Sequence, residues 1–194
     1  MIGSDSNASV PKVDLPSSRT KWPLSVLIRR ALWQYSLRLI VRFLPRPFNS
    51  LRIALLRAAG AKIGPDCLIM PGIKVLIPWN LEMDRCVAIG ADVEIFNHAK
   101  VRIKSNTLIS QYSFLCTSSH DYTLTNMPLI YSDIDIGSEC WIAAGVFIGP
   151  GVKIGDGSVI GARSVVSRSM PERMVCVGNP CRPIKPRTLN AIQS

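Results

Sequence analysis

Only two histidines stand in this 194-residue chain, His98 and His120. His120 lies in Ser119-His120-Asp121, inside a stretch rich in Thr, Ser, Asn and Asp. An imidazole has an ordinary pKa near 6.5. At that position on the pH scale it can take a proton from a hydroxyl as the oxygen attacks an acyl carbon. By residue type alone, a loop histidine with no task fits equally. His98 follows Asn97 and reads first as a structural or surface residue and second as a substrate contact. Trp141 stands between Cys140 and Ile142, at a position that points outward from any wall those two help to build. An exposed indole there can stack on a flat ligand or fill a subunit contact.

The elements that must hold these residues come from a repeat. From Ile134 to Val166 the positions Ile136, Ile142, Ile148, Ile154, Ile160 and Val166 recur every six residues. A second column runs two places ahead: Ile134, Cys140, Val146, Val152, Ser158 and Ser164. Neither the helical period nor a two-residue alternation fits, whereas a short strand and a tight turn do. Hexapeptide periodicity predicts a parallel β-helix whose three faces make an 18-residue coil, of the left-handed form. Its inward residues stack on their equivalents one coil away, at about the 4.8 Å spacing of paired strands. A weaker version occupies 63–115. Ile63, Ile69, Val75, Leu81 and Val87 share one phase, Ile89 and Ile95 a second, and Ile103, Ile109 and Leu115 a third. The shifts predict inserted residues at Leu76–Trp79 and Asn97–Val101. Residues 116–133 carry no interior column and predict a projecting loop, with His120 on it, the kind of place where function resides. The stretch after Val166, with four prolines, predicts an irregular cap over the last coil, whose edge would otherwise be unpaired.

Before the repeats, residues 1–22 read as a flexible tail and 23–60 as a basic amphipathic helical segment. The β-helix domain is expected over 61–187. Pro23 opens a helix over 23–44 that Pro45 and Pro47 end. Arg30, Gln34, Arg38 and Arg42 form one polar stripe. Ile28, Leu32, Trp33, Leu37, Leu39, Ile40, Phe43 and Leu44 cover most of the rest, with Arg29 as an outlier among them. Such a helix suits a bilayer interface, and equally suits packing on its own protein or a neighbour. A second helix fits Ser50–Ala59, with Asn49 as its cap and Gly60 as its stop.

Residues 1–62 hold eleven Lys/Arg and two Asp/Glu, a net of +9, against +10 for the whole chain. The basic segment implies an anionic surface nearby, while the near-neutral body argues against a nucleic-acid partner. Six cysteines without a CxxC pair point to a reducing compartment. No signal peptide is expected, and the apolar run Ala31–Leu44 is too short and too charged to cross a membrane.

Two strings carry a family resemblance. CWIAAGVFIGPGVKIGDGSVIGARSVVS and VCVGNPCRPIK resemble the C-terminal half of the hexapeptide-repeat acyltransferases. LISQYSFLCTSSHDYT, Leu108 to Thr123, is similar to the O-acetyltransferases of exopolysaccharide and colanic-acid biosynthesis, relatives of the nodulation and maltose enzymes. The likeness spans about residues 45–187. It implies an O-acetyltransferase that uses acetyl-CoA, with no metal, to acetylate a sugar or lipid-linked saccharide in polysaccharide biosynthesis. It implies His120 as the catalytic base. Trp141, the turns Ala143-Ala144-Gly145 and Gly161-Ala162-Arg163, and the tail residues Asn179, Arg182 and Lys185 would line the coenzyme A path. Family members of this kind are trimers with sites at subunit interfaces. They carry an aspartate for the acceptor sugar where this chain reads Phe96-Asn97-His98, so Asn97, His98 and Asp121 are the acceptor candidates here. A cytoplasmic location, peripheral on an anionic inner membrane, would bring the enzyme to such an acceptor.

Other readings use the same prism. A carbonic anhydrase needs three histidines around zinc, and two histidines without an HxxxxH pair argue against it. Transfer to an amino group and a non-catalytic scaffold remain as alternatives.

Overall fold

In the computed structural model, which describes residues 11–18 and 22–190, the chain winds into a left-handed parallel β-helix behind an N-terminal helical segment. Part of the tail expected over 1–22 lies outside the described residues. The first wall stacks Lys62–Ile63, Leu81–Met83, Val101–Ile103, Ile134–Ile136 and Lys153–Ile154. The second stacks Leu68–Ile69, Ala88–Ile89, Leu108–Ile109, Trp141–Ile142, Val159–Ile160 and Met174–Gly178. The third stacks Lys74–Val75, Glu94–Phe96, Phe114–Cys116, Phe147–Ile148 and Val165–Val166. Every neighbour within these stacks is parallel. Both columns read from 134–166 are buried.

The phase in the first coils differs from the sequence reading. Ile63 pairs with Met83, and Leu81 pairs with Val101 in the leading column. Val87 likewise leads Ile89 and is fully buried. The shift therefore falls before Leu81, at the inserted corner, and a leading-column residue is as apolar as a main-column one. Two polar members of the leading column, Ser158 and Ser164, serve the C-terminal end. Ser158 Oγ donates to Pro171 O at 2.6 Å, and Ser164 Oγ accepts from Gly178 N at 3.0 Å. That end is more regular than expected. Met174–Gly178 and Cys181–Pro186 form an antiparallel hairpin that extends the second wall.

The N-terminal helices close the other end. They are α1 (Leu24–Leu32), a π-turn Trp33–Leu37, α2 (Arg38–Phe43) and α3 (Asn49–Ala58). The first coil leaves an edge of unpaired backbone groups, and side chains from these helices meet it wall by wall. Arg57 donates to Ile63 O on the first wall at 2.7 Å. On the second, Asn49 accepts from Ile69 N at 2.9 Å and donates to Cys67 O at 3.0 Å. Trp33 Nε1 donates to Val75 O on the third at 3.0 Å. Asn49 thus caps the β-helix and makes no side-chain cap to its own helix. Gly60 ends α3 in a left-handed conformation, φ +104°, where a side chain would be strained.

Arg52 is the centre of this cap. It is fully buried and donates to Ile69 O at 2.7 Å, Val41 O at 3.2 Å and Pro45 O at 3.2 Å, and also to Leu44 O. Burial lowers its pKa, and the convergent carbonyls supply what water would. Replacing it with a hydrocarbon leaves several buried carbonyls unpaired, at roughly 1–3 kcal/mol for each such group. Arg52→Leu is expected to lower the unfolding free energy by more than about 2 kcal/mol, measured by urea denaturation, whereas the exposed Arg46→Leu should change it by less than about 0.5 kcal/mol.

Candidate active site

The loop at 116–133 leaves the corner between the third and first walls as a rigid arm. Ser118–His120 pairs antiparallel with Leu129–Tyr131, in the register Ser118 with Tyr131 and His120 with Leu129. Its root is bolted down at both ends. Ala99 N donates to Thr117 Oγ1 at 3.0 Å. Asp133 accepts from Lys100 N at 3.0 Å and from Arg102 at 2.8 Å. Residues two apart on a strand share a face, so Ser118 and His120 look the same way.

His120 is exposed, and its Nδ1 lies 2.6 Å from Met127 O. A carbonyl only accepts, so Nδ1 carries the proton and the neutral ring keeps its lone pair on Nε2. That is the state a general base requires. The orienting partner is a backbone carbonyl, which no sequence motif could mark.

His98 stands beside this face. Its Nδ1 is 2.6 Å from Ser118 Oγ. The ring stacks near Trp22, with centroids 6.0 Å apart, and near Tyr131 at 6.5 Å, and meets the edge of Phe96 at 5.0 Å. Burial, helped by the positive charge of Arg30, lowers its pKa. The other two acceptor candidates are differently placed. Asn97 is fully buried and exchanges both amide hydrogen bonds with Ile77, at 2.9 and 2.8 Å. It holds the inserted corner by imitating a strand partner and does not face an acceptor. Asp121 Oδ1 accepts from Thr123 N at 3.0 Å and from Thr123 Oγ1 at 2.6 Å, which lowers its pKa and closes a turn in the arm. Trp22 and Tyr131 were not identified in the sequence. Nothing in their spacing connects them, because a helix and the arm bring them together.

The two turns expected on the coenzyme path lie at another corner, between the second and third walls, and the rest of that set lies along the second wall and its terminal hairpin. Trp141 is half-exposed on the second wall, its indole N–H donating to Ser110 Oγ at 3.1 Å. The turns 143–145 and 161–163 lie one coil apart at this corner, and Arg163 N donates to Ala144 O at 2.9 Å. Gly145 has φ +68°, and a Cβ there would sit 3.0 Å from Arg163 Cδ, so the arginine lies directly over the glycine. Ala143 N and Gly145 N are taken by Ile160 O and Gln111 O, and Gly161 N and Arg163 N by Cys176 O and Ala144 O. Among the described residues, the N–H groups of Ala144 and Ala162 have no intramolecular partner, and they stand in register on adjacent coils. Asn179 is exposed in the turn of the terminal hairpin, and Arg182 and Lys185 are exposed on its second strand.

A concavity of about 690 Å³ runs along the first wall, between Glu82, Arg102, Asp135, Lys153 and Glu172. None of the arm's residues lines it, and much of its charge is paired internally: Arg102 lies 2.8 Å from Asp133 and 2.9 Å from Asp135. Among the described residues no group of three or more His, Cys, Asp or Glu side chains could hold a metal ion. All six cysteines are free, and burial pushes the Cys176 thiol up to about 11.

A prism of hexapeptide coils with a histidine arm defines a class, and comparison with known proteins places the chain in it. Residues 133–168 match the family model described as bacterial transferase hexapeptide (six repeats). Over 160 residues the chain is 40% identical to WcaF of Escherichia coli strain K12, a protein assigned as a colanic acid biosynthesis acetyltransferase, covering 82% of this chain and 88% of that one. Among solved structures, a maltose O-acetyltransferase from Clostridium difficile 630 superposes with a TM-score of 0.77 at 28% identity, covering 84% of this chain and 89% of that one. A galactoside acetyltransferase in complex with coenzyme A superposes with a TM-score of 0.73 at 26% identity, covering 90% and 89%. The chain belongs to the hexapeptide-repeat acetyltransferases, in the family that includes WcaF.

The environment of His98 sets a pH dependence. Its folded pKa lies below the unfolded value of about 6.5, so the unfolded chain binds the extra proton first as pH falls. Its contribution is fully present above about pH 6.5 and is lost as pH falls from there through the folded pKa. Urea titrations at a series of pH values should show stability declining on acidification through this window, with a shallower decline in His98→Phe.

Proposed function

We propose that this enzyme transfers the acetyl group of acetyl-CoA directly to a hydroxyl of a sugar used in polysaccharide biosynthesis, with His120 as the general base. The observation that carries the residue assignment is the 2.6 Å contact of His120 Nδ1 with Met127 O, which leaves Nε2 free to accept a proton. The sugar O–H gives its proton to Nε2 as the oxygen forms a bond to the thioester carbonyl carbon. The C–S bond then breaks, and the imidazolium returns the proton to the departing thiolate. No covalent acyl-enzyme is needed. The unpaired N–H groups of Ala144 and Ala162 suit the amide carbonyls of a pantetheine arm. Arg163, Arg182 and Lys185 suit the coenzyme's phosphates. His98, Ser118 and Tyr131, on the face that His120 shares, are the side chains best placed to meet the acceptor.

The chain's partners would be two further copies of itself. His120 projects from one corner of the prism, and the Ala143–Gly145 turn lies at another. One wall, on the order of 15 Å of extended chain, separates the two corners. Two walls carry apolar outward rows: Leu68, Ala88, Leu108, Trp141, Val159 and Val175 on the second, and Phe114, Phe147 and Val165 on the third. The first wall carries most of the ion pairs, and the third has one, Lys74 with Glu94, in its first coils. Two different apolar patches fit a head-to-tail contact that closes as a ring, such as a trimer. The acceptor would be a saccharide on the cytoplasmic side of the membrane, free or carried on a lipid.

The test is thiol release from acetyl-CoA against a panel of sugars, nucleotide sugars and lipid-linked sugars. An accepted sugar should be consumed at a rate that falls by about 10²–10⁴ in His120→Ala. A folded His120→Ala enzyme that keeps wild-type turnover would remove His120 from the reaction.

A further inference from the structure

The N-terminal helix turns its wide apolar face away from the body. Trp33 and Val41 are buried against the first coil. Eight α-helical residues overrun two full turns by about 80°, which would carry Val41 off the inner face. The π-turn Trp33–Leu37 is wider and takes up most of that rotation. The stripe of Arg30, Gln34, Arg38 and Arg42 is consequently half-buried along the flanks. Leu24, Leu27, Ile28, Leu32, Tyr35, Leu39, Ile40 and Phe43 are left on the open side, with Leu24 71%, Leu32 67% and Phe43 70% exposed. Arg29, the outlier of the sequence pattern, is drawn off this side onto the Trp79 ring, 4.0 Å from its centroid, and donates to Ala59 O.

An apolar strip some twenty residues long, in a chain of this size, needs a cover. The charge around it selects which. No Asp or Glu occurs between residues 22 and 65, while Arg29, Arg30, Arg38, Arg42 and Arg46 all belong to or adjoin the helix. A cover must therefore be apolar at its centre and anionic at its rim. The apolar walls of a second copy do not supply this. The outward row of the second wall has no acidic side chain, and Glu94, the one in the third wall's row, is 3.0 Å from Lys74. On the first wall, Glu82, Asp133 and Asp135 are paired with that wall's own cations. No helix among the described residues is long and apolar enough to cross a membrane. A helix with one broad apolar face and arginines beside it lies in the headgroup region instead.

We propose that the outer face of the Leu24–Phe43 helix docks on a bilayer of anionic phospholipid, its leucine, isoleucine and phenylalanine side chains entering the interface and its arginines meeting phosphate. The helix begins beside the site, since Trp22 stacks on His98 and Tyr131. Docking would hold the arm that carries His120 close to the membrane surface. The lipid contact stands independently of the acetyl-transfer reading.

The full chain is tested by flotation with vesicles of phosphatidylcholine alone and of phosphatidylcholine mixed with phosphatidylglycerol. The wild type should float with the mixed vesicles and bind at least tenfold more weakly to phosphatidylcholine alone. Raised salt should weaken the binding. Leu32→Glu combined with Phe43→Glu alters only exposed positions, and should lose binding at least tenfold with an unchanged far-UV spectrum and melting temperature. Binding that survives this double substitution, or that ignores lipid charge, overturns the proposal. So does failure to bind vesicles while the same substitutions reduce the oligomer size in sedimentation, which would put a second copy on the helix.

Discussion

Edge-to-edge backbone pairing between successive coils is the constraint from which this structure follows. A single 18-residue turn cannot bury its own interior or satisfy its own N–H and C=O groups, and each added coil does both for the one before. The interior columns can then be small or aliphatic side chains at two positions in six, with the rest of the sequence free. The same pairing makes the two ends costly. At the N-terminal end Arg52, Arg57, Asn49 and Trp33 meet the backbone of the first coil. At the C-terminal end a hairpin and two interior serines do so. The basic character of the first 62 residues is partly explained by this: buried Arg52 and exposed Arg57 both donate to carbonyls of the first coil.

The prism also decides where chemistry can sit. The large concavity along the first wall is lined by charges that are mostly paired, so the candidate site is made at corners and by insertions. The arm at 116–133 is such an insertion, and its antiparallel pairing gives a rigid mount for His120. The turns at 143–145 and 161–163 form a groove edge at a different corner, with backbone N–H groups left over because the chain bends there. Separated by a wall, the two halves would meet in the proposed site across a contact between two chains. The apolar rows on the second and third walls, against the network of ion pairs on the first, are consistent with that arrangement.

Much of this was legible in the sequence because the repeat is a geometric statement: two residues in every six, two places apart, point inward. The columns of 134–166, the inserted corners, the arm and the outward position of Trp141 all follow from counting, whereas the phase of the first coils did not, because Leu81 and Val87 in the leading column are as apolar as main-column residues. What was not legible depends on backbone groups or on the third dimension. The Met127 carbonyl that fixes the His120 tautomer has no residue type. Asn97 looked like a ligand contact because it is polar and sits in an insertion, yet its amide replaces a missing strand at Ile77. Asn49 looked like a helix cap because it precedes a helix, yet the open coil beneath it competes more strongly for its amide. The apolar face of the N-terminal helix was visible, but its direction was not. A five-residue π-turn reorients it, and a pattern read at the α-helical period passes over that turn.

The central claim is that histidine and coenzyme groove belong to one site only when two chains meet. It is tested most directly by mixing two inactive variants, His120→Ala and a groove variant such as Trp141→Ala with Arg163→Glu, in co-assembled oligomers. If the site is shared, random mixing should restore roughly a quarter of the wild-type sites of a trimer, because some interfaces then pair an intact histidine with an intact groove. Co-assembled mixtures that stay as inactive as their parents would contradict the account.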